Sequence, residues 1–339
     1  MLPEGSAADR ALHGITGGGR DNPPMHLVVP FAAPLPEEGR AAARTLARPV
    51  LAALRDSLVE QARDDGDEWS LSPPHERAWA RAVGWAGADG ALPFAAQAAA
   101  AAGIDTGDLA WARLTPVHWH LGTEQVSLVD PAQLALDEAS SRALLEAVRP
   151  LFTGDGWQMD GWKMAWGETG AWYAAHESLA ELPTASLDRV IGRNVDAWLG
   201  SNTAARPLRR LQAELQMLLH AHPLNAEREA RGLLPVNSVW ISGCGRRQPV
   251  AAGAEPVLEA GLRAPALAGD WAAWCKAFDA IEAGVLAELL ARVERGDEVQ
   301  LTLCGERGSV TLGGPPRTGF QRWWQRWGRT ELATWMETL

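Results

Sequence analysis

Segments typical of β-strands alternate with segments typical of helices along most of the chain. The runs His26 to Ala32, Val236 to Ser242 and Val299 to Cys304 are short, apolar and rich in β-branched residues, as buried strands are. Between them, apolar residues recur at helical spacing, as from Glu37 to Arg63 and from Asp270 to Val293. This alternation predicts an α/β fold with a mainly parallel sheet flanked by helices. A hydrophobic content of 47% in 339 residues is enough for a sizeable core.

One portion of the chain breaks that alternation. Arg113 to Leu121 and Gln125 to Val129 alternate apolar and polar residues as exposed strands do, and Asp160-Gly161 is a typical type I′ turn pair. We therefore expect an α+β insertion around residues 110–180 within an α/β domain of residues 25–316.

The two ends of the chain have a different character. Residues 1–24 are rich in Gly, Pro and polar residues, which predicts a disordered leader. Residues 317–339 predict a Trp-rich C-terminal helix that docks on its own domain, with binding to a membrane surface or a partner as the alternative. The chain has 17 Trp against five Phe and one Tyr, which favours a core that uses Trp in their place.

Charge and cysteine content exclude several classes of protein. Lys and Arg total 31 against 42 Asp and Glu, giving a net charge of -11, so a nucleic-acid partner is disfavoured. Three widely spaced cysteines fit a reducing compartment better than a disulfide framework. No apolar run reaches the roughly 20 residues of a transmembrane helix, and no signal peptide precedes the fold. We expect a cytoplasmic location.

Glycine and arginine residues suggest an anion-binding site. Gly243 and Gly245 follow a predicted strand, where successive backbone N–H groups can bind an anion, and Arg246 comes next. Arg228 and Arg231 lie on a short predicted helix just before that strand, and guanidinium groups bind phosphate or carboxylate in a bidentate manner. The alternative, which the sequence leaves open, is that the glycines only turn the chain and the arginines pair with nearby glutamates.

A predicted helix from Leu187 to Leu199 carries two further candidates. Arg189 and Arg193 are four residues apart and share a face, so they can join the same anion site or pair with local aspartates. Gly192 at the centre of this helix costs roughly 1 kcal/mol relative to Ala, which suggests close approach by a neighbour or a ligand, a packing contact being the more common cause.

Two histidines are weak candidates for metal binding. His118 and His120 would point to the same side of a strand, but a third ligand is not identifiable, and His176 is only a candidate. Ordinary hydrogen-bonded histidines are the favoured interpretation. We expect no cofactor, and a divalent metal is disfavoured.

The segment HPLNAEREARGLLPVNSVWISGCG, from His222 to Gly245, resembles part of the archaeal-type cofactor-independent phosphoglycerate mutases of the alkaline phosphatase superfamily. The resemblance implies a degenerate core of that superfamily, with an anionic ligand held by the matching residues. The matching positions are His222, Asn225, Arg228, Gly232, Pro235, Asn237, Gly243 and Gly245.

A broader resemblance, to the bacterial regulatory RpfE proteins, runs from His26 to about Val310. It rests on stretches that include HLVVPFA, LSPPHERA, LTPVHW, TASLDRVIGRNVDAWL and LQAELQMLLHAHPLN. This resemblance implies a regulatory protein without a defined reaction.

The mutase resemblance also implies two divalent metals held by Asp and His ligands from both ends of the chain, with a Ser or Thr nucleophile. Here the first strand is followed by no carboxylate before Glu37, and the last histidine is His222. The leading hypothesis is therefore a non-catalytic regulatory protein that binds a small phosphorylated or otherwise anionic ligand or a protein partner. The alternatives are a phosphoglycerate-mutase-like enzyme acting on a phosphorylated small molecule and an interaction module using the Trp-rich tail.

Overall fold

The computed structural model describes residues 25–123, 125–153, 161–200, 206–251, 253, 255–314 and 331–339. The leader expected at residues 1–24 and most of the expected C-terminal helix lie outside these ranges, as does Asp160 of the expected turn pair. No helix within the described ranges is long and apolar enough to cross a membrane.

The described ranges contain strands and helices, numbered in chain order. The strands are β1 Met25–Ala33, β2 Val59–Asp64, β3 Ala110–Val117, β4 Trp119–Leu121, β5 Val126–Leu128, β6 Lys163–Glu168, β7 Ala171–Ala175, β8 Ser238–Arg246, β9 Val257–Leu258, β10 Val299–Gly305 and β11 Ser309–Gly313. The helices are α1 Glu37–Thr45, α2 Pro49–Ser57, α3 Pro74–Val83, α4 Phe94–Ala101, α5 Glu138–Thr153, α6 Leu187–Val190, α7 Arg206–His220, α8 Pro223–Ala230, α9 Arg263–Ala268, α10 Trp271–Ile281, α11 Ala287–Arg295 and α12 Leu332–Met336.

The chain divides into two compact units. In the sequence, the first unit, residues 86–249, is inserted between the two parts of the second, whose described residues fall within 25–85 and 250–339. The inserted unit therefore has wider bounds than the α+β insertion expected around residues 110–180.

The second unit contains a five-stranded sheet with the order β2-β11-β10-β1-β9. Strand β1 is parallel to β10 and β9, whereas β11 is antiparallel to both β10 and β2. The sheet is thus mixed, which corrects the expectation of a mainly parallel one. The core includes Leu27 and Val29 of β1, Leu51 and Leu54 of α2, and Phe278 of α10.

The inserted unit contains a four-stranded antiparallel sheet with the order β6-β7-β3-β8, and β4 pairs separately with β5. One face packs in a core with apolar residues of α5 and α7, including Leu144, Leu145, Leu211, Leu215 and Leu219. The opposite face packs in a second cluster with the alanines of α4. This second face carries the polar residues described below.

Buried tryptophans contribute to the cores of both units, and the structure confirms that part of the unusual Trp content is core. Several of them donate the indole N–H to a protein oxygen, which removes the cost of burying that donor. The pairs are Trp111 with Thr106 O, Trp172 with Ser141 Oγ, Trp240 with Ala185 O, and Trp274 with Phe31 O.

Two predicted helices are wrong in extent. The stretch Glu37 to Arg63 forms α1 and α2 and then strand β2, which pairs with β11 at the edge of the sheet. The stretch Leu187 to Leu199 is α-helical only in α6, because Ile191 and Asn194 form bridges to β5. Gly192 lies between them with φ +74°, where a left-handed conformation turns the chain.

Candidate functional site

Gly243 and Gly245 lie inside β8, so the expectation that the strand ends at Ser242 is wrong. Gly243 has φ +67°, and the register of β8 against β3 shifts here, as in a β-bulge. A β-carbon on Gly243 would lie 2.9 Å from the backbone N of Ala95, and one on Gly245 would lie 3.0 Å from Cβ of Pro93. The glycines allow the start of α4 to approach the strand closely. Anion binding by this segment stays a prediction that its packing does not support.

Arg228 is held by main-chain carbonyl groups. Its Nε donates to Leu234 O at 2.9 Å, and its Nη2 donates to Leu134 O. Burial lowers its pKa, and only 2% of the residue is exposed. The guanidinium thus connects α8 to the loop before β8 and to the 3-10 turn Pro131–Leu134. Its assignment to an anion-binding site stays a prediction.

Asn225 and His222 also have structural partners. The Asn225 Nδ2 donates to Leu219 O at 2.7 Å and to Val236 O at 2.9 Å, while its Oδ1 accepts from Val236 N at 2.8 Å. The N-terminus of α8 is capped by His222, whose Nδ1 accepts from Leu224 N at 3.2 Å. A capping role for Asn225 would be the usual sequence interpretation, and here the histidine three residues earlier fills it.

The side chain of Asn237 makes two hydrogen bonds to the main chain of Trp119, as a neighbouring strand would. Its Oδ1 accepts from Trp119 N at 2.7 Å and its Nδ2 donates to Trp119 O at 2.9 Å. Next to it, the buried His118 donates from Nδ1 to Pro235 O at 2.9 Å. His120 is exposed, and its ring centroid lies 6.3 Å from that of His118.

The donor side chains do not fit a two-metal centre. In the described ranges, no group of three or more His, Cys, Asp or Glu side chains is placed to hold a metal ion. Strand β1 ends with Ala32 and Ala33, and Pro34 follows; none of these side chains has a ligating atom. The nearby strand β2 ends at Asp64, whose carboxylate accepts from Arg77 at 2.8 Å and lies 3.2 Å from Arg81.

The remaining candidate arginines contact separate parts of the inserted unit. Arg246, at the end of β8, donates to the Glu177 carboxylate and to a carbonyl oxygen. Arg231 is exposed at the end of α8, whereas Arg189 on α6 is buried. The guanidinium of Arg193 lies 5.9 Å from the centre of the Trp198 ring.

A different arginine lies at the centre of the α4 face of the sheet. Arg113 on β3 pairs with Tyr173 on β7 and with Ser242 on β8, and cross-strand partners share a face. Its side chain is 10% exposed, and its Nη2 lies 3.4 Å from Oε1 of Glu168, whose side chain is 68% exposed. This ion pair is long and open to solvent, so it contributes little stability.

Two buried hydroxyl groups lie on the same face of the sheet as Arg113, and Trp240 is opposite the first of them on β8. Thr115 lies two residues beyond Arg113 and therefore on the same face, and Ser238 is opposite Val117 on β8. Both residues are buried, and neither hydroxyl has a hydrogen-bond partner among the described residues. An unbonded buried hydroxyl costs roughly 1 to 3 kcal/mol, so these groups favour a polar ligand atom.

Tyr173, opposite Arg113 on β7, adds a neutral phenol to the same face of the sheet. Burial raises its pKa, against the opposing effect of Arg113. Its O–H therefore remains available as a donor at neutral pH. The sequence signal for this site was a single arginine in the otherwise apolar and hydroxyl-bearing run AWARLTPV, which periodicity alone reads as an ordinary strand.

Comparison with protein-family models and with curated proteins gives no match for this chain. Among solved structures, the cofactor-independent phosphoglycerate mutase of Thermoplasma acidophilum is similar over 86% of this chain and 89% of its own, at 12% identity and a TM-score of 0.35. The PH0037 protein of Pyrococcus horikoshii is similar over 86% of this chain and 88% of its own, at 12% identity and a TM-score of 0.42. Nothing found supports the resemblance to RpfE proteins. The likeness to the two archaeal proteins concerns the fold alone.

Proposed function

We propose that the protein binds a small anionic molecule, bearing a phosphate or carboxylate group, on the Arg113 face of its four-stranded sheet. The observation that carries the proposal is the pair of buried hydroxyls, Thr115 and Ser238, without partners among the described residues. They lie along the same face as a buried guanidinium, which binds an anion through charge-assisted hydrogen bonds. An anionic ligand replaces the long contact to Glu168 with shorter ones.

We infer binding without metal-assisted phosphoryl transfer. That reaction needs a full set of metal ligands beside a nucleophile, and the donor side chains described above do not form one. A regulatory role and a protein partner stay predictions from the sequence.

Titration of the purified protein with inorganic phosphate, followed by a thermal-shift screen of phosphorylated metabolites, tests the proposal. We expect Arg113→Gln to weaken binding about tenfold or more, because a charge-assisted bond is worth roughly 1.5 to 3 kcal/mol. The matched control is Arg210→Gln, which removes an exposed arginine from α7 of the same unit.

A second variant separates binding from folding. Thr115→Val keeps the shape of the side chain and removes only the unbonded hydroxyl, so the free energy of unfolding should not fall. Ligand affinity should fall nevertheless. Parental affinity in both Arg113→Gln and Thr115→Val would show that no ligand is bound on this face.

A further inference from the structure

The carboxyl ends of β1 and β10 meet at one edge of the five-stranded sheet. The two strands are parallel, and Ala33 pairs with Gly305 at that edge. Open α/β sheets bind their ligands beyond the carboxyl ends of such strands. This edge lies wholly within the second unit and is independent of the Arg113 face.

Arginines surround this edge of the sheet. Arg40 and Arg44 of α1 and Arg48 before α2 line a small cavity beside Ala33, together with Glu337. Arg40 also lines a neighbouring cavity with Arg307, Glu306 and Glu337. The first cavity has a volume of about 10 Å³, room for about one water molecule. A larger ligand therefore needs a protein group to move out.

The segment Glu331–Leu339 supplies that group. Oε1 of Glu337 accepts from Arg44 Nε at 2.7 Å. The main-chain oxygen of Leu339 accepts from the N–H of Arg307 at 3.1 Å and from the N–H of Gly308 at 2.5 Å. These donors, a guanidinium and two successive backbone N–H groups, are the ones that proteins use to bind phosphate and carboxylate.

Two details indicate that the approach is specific. A β-carbon on Gly305 would lie 2.5 Å from the carbonyl carbon of Leu339, so only glycine admits the segment at this point. Glu37 also pairs with Arg40 and Arg44, at 2.8 and 3.1 Å, but its side chain is 61% exposed and solvent screens these contacts.

We propose that this edge is a second anion-binding site, for a phosphate or carboxylate group, and that the segment Glu331–Leu339 holds it closed. Glu337 takes the place of the anionic group of the ligand on Arg44. An external anion binds only by displacing that carboxylate, so the site is inhibited by the chain itself. Removing the negative charge of Glu337 leaves Arg44 with the exposed Glu37 as its acidic partner among the described residues, and the Nε that Glu337 occupied becomes available to the ligand.

The test compares inorganic phosphate binding by calorimetry in variants that all carry Arg113→Gln, so that the Arg113 face does not contribute. Glu337→Gln should bind phosphate about tenfold or more tightly than its background. Glu38→Gln, which removes an equal charge from α1, is the matched control and should leave affinity unchanged. Adding Arg44→Gln to Glu337→Gln should abolish the gain.

If Glu337→Gln lowers the stability of the protein, thermal unfolding still tests the proposal. The rise in Tm caused by phosphate depends on affinity and can be measured in each variant against its own phosphate-free sample. A Glu337→Gln protein with neither tighter phosphate binding nor a larger phosphate-dependent rise in Tm would overturn the proposal. That result would leave the Arg113 proposal unaffected, because it is tested with Arg113 in place.

Discussion

At the scale of single residues, Gly243 is a site where one methyl group has a predictable effect. Its φ of +67° is unfavourable for other L-residues, and a β-carbon there would lie 2.9 Å from the backbone N of Ala95. We expect Gly243→Ala to lower the free energy of unfolding by at least about 2 kcal/mol, from backbone strain and overpacking together. Urea denaturation measures the change.

Gly232 provides the control for that experiment. It follows α8 with φ +72°, but a β-carbon there would have no atom within 4 Å. Gly232→Ala should therefore cost only the strain, roughly 1 kcal/mol. Equal losses in the two variants would mean that the contact with α4 does not constrain the bulge.

The same scale shows where sequence reasoning stops. The sequence predicts Arg228 as an anion-binding residue, whereas its partners in the structure are the carbonyl oxygens of Leu134 and Leu234. Nothing in a residue's type reveals a main-chain partner. The sequence does not predict Thr115 and Ser238 as site residues, because an isolated hydroxyl in a strand is informative only when its burial and its neighbours are known.

At the scale of elements, the π-helical turn Glu282–Leu286 between α10 and α11 sets up a pH-dependent contact. Oε1 of Glu282 accepts from Val50 N at 2.6 Å and from Leu51 N at 3.2 Å, at the N-terminus of α2. Burial raises the pKa of Glu282, and the two N–H groups and Arg48 oppose that change only in part. The protonated carboxyl is therefore favoured by folding.

The sign of the pH dependence follows from that raised pKa. The stabilisation is fully present below the unfolded value of 4.5 and is lost as pH rises through the higher folded pKa. The parent should therefore have a higher free energy of unfolding than Glu282→Gln, and this difference should be larger near pH 4.5 than at neutral pH. Urea titrations across that range measure it, with Glu288→Gln, whose side chain is 41% exposed, as control. A difference that grows towards neutral pH contradicts the assignment.

The sequence predicts a helix start correctly where neighbouring residues determine it. The prediction is wrong for two segments whose conformation depends on pairing with a distant strand. The helical pattern predicted from Asp270 begins at α10, where the Asp270 side chain caps the helix by accepting from Ala273 N at 2.9 Å. Strand β2 lies in a stretch whose apolar residues have helical spacing. It is a strand because it pairs with β11, about 250 residues later. The stretch after Val190 failed similarly, since bridges to β5 replace its helical hydrogen bonds.

At the scale of the whole molecule, the fold and the chemistry need to be tested separately. We expect no phosphoglycerate mutase activity from the purified protein, with or without added manganese, because the described donor side chains do not form the ligand set that such catalysis needs. A coupled assay for the product measures this. Metal-stimulated turnover would favour the mutase-like enzyme over the binding protein proposed here.

The mixed sheet also has a consequence for how the chain is made. Met25 of β1 pairs with Val299 of β10, about 270 residues later. At a synthesis rate of roughly 5 to 20 residues per second, β1 leaves the ribosome tens of seconds before that partner exists. During this time the apolar residues Leu27, Val28 and Val29, all buried in the finished sheet, lack their β10 neighbours. We therefore expect the nascent chain to expose an apolar segment of the kind that chaperones bind, until β10 is synthesised and pairs with β1.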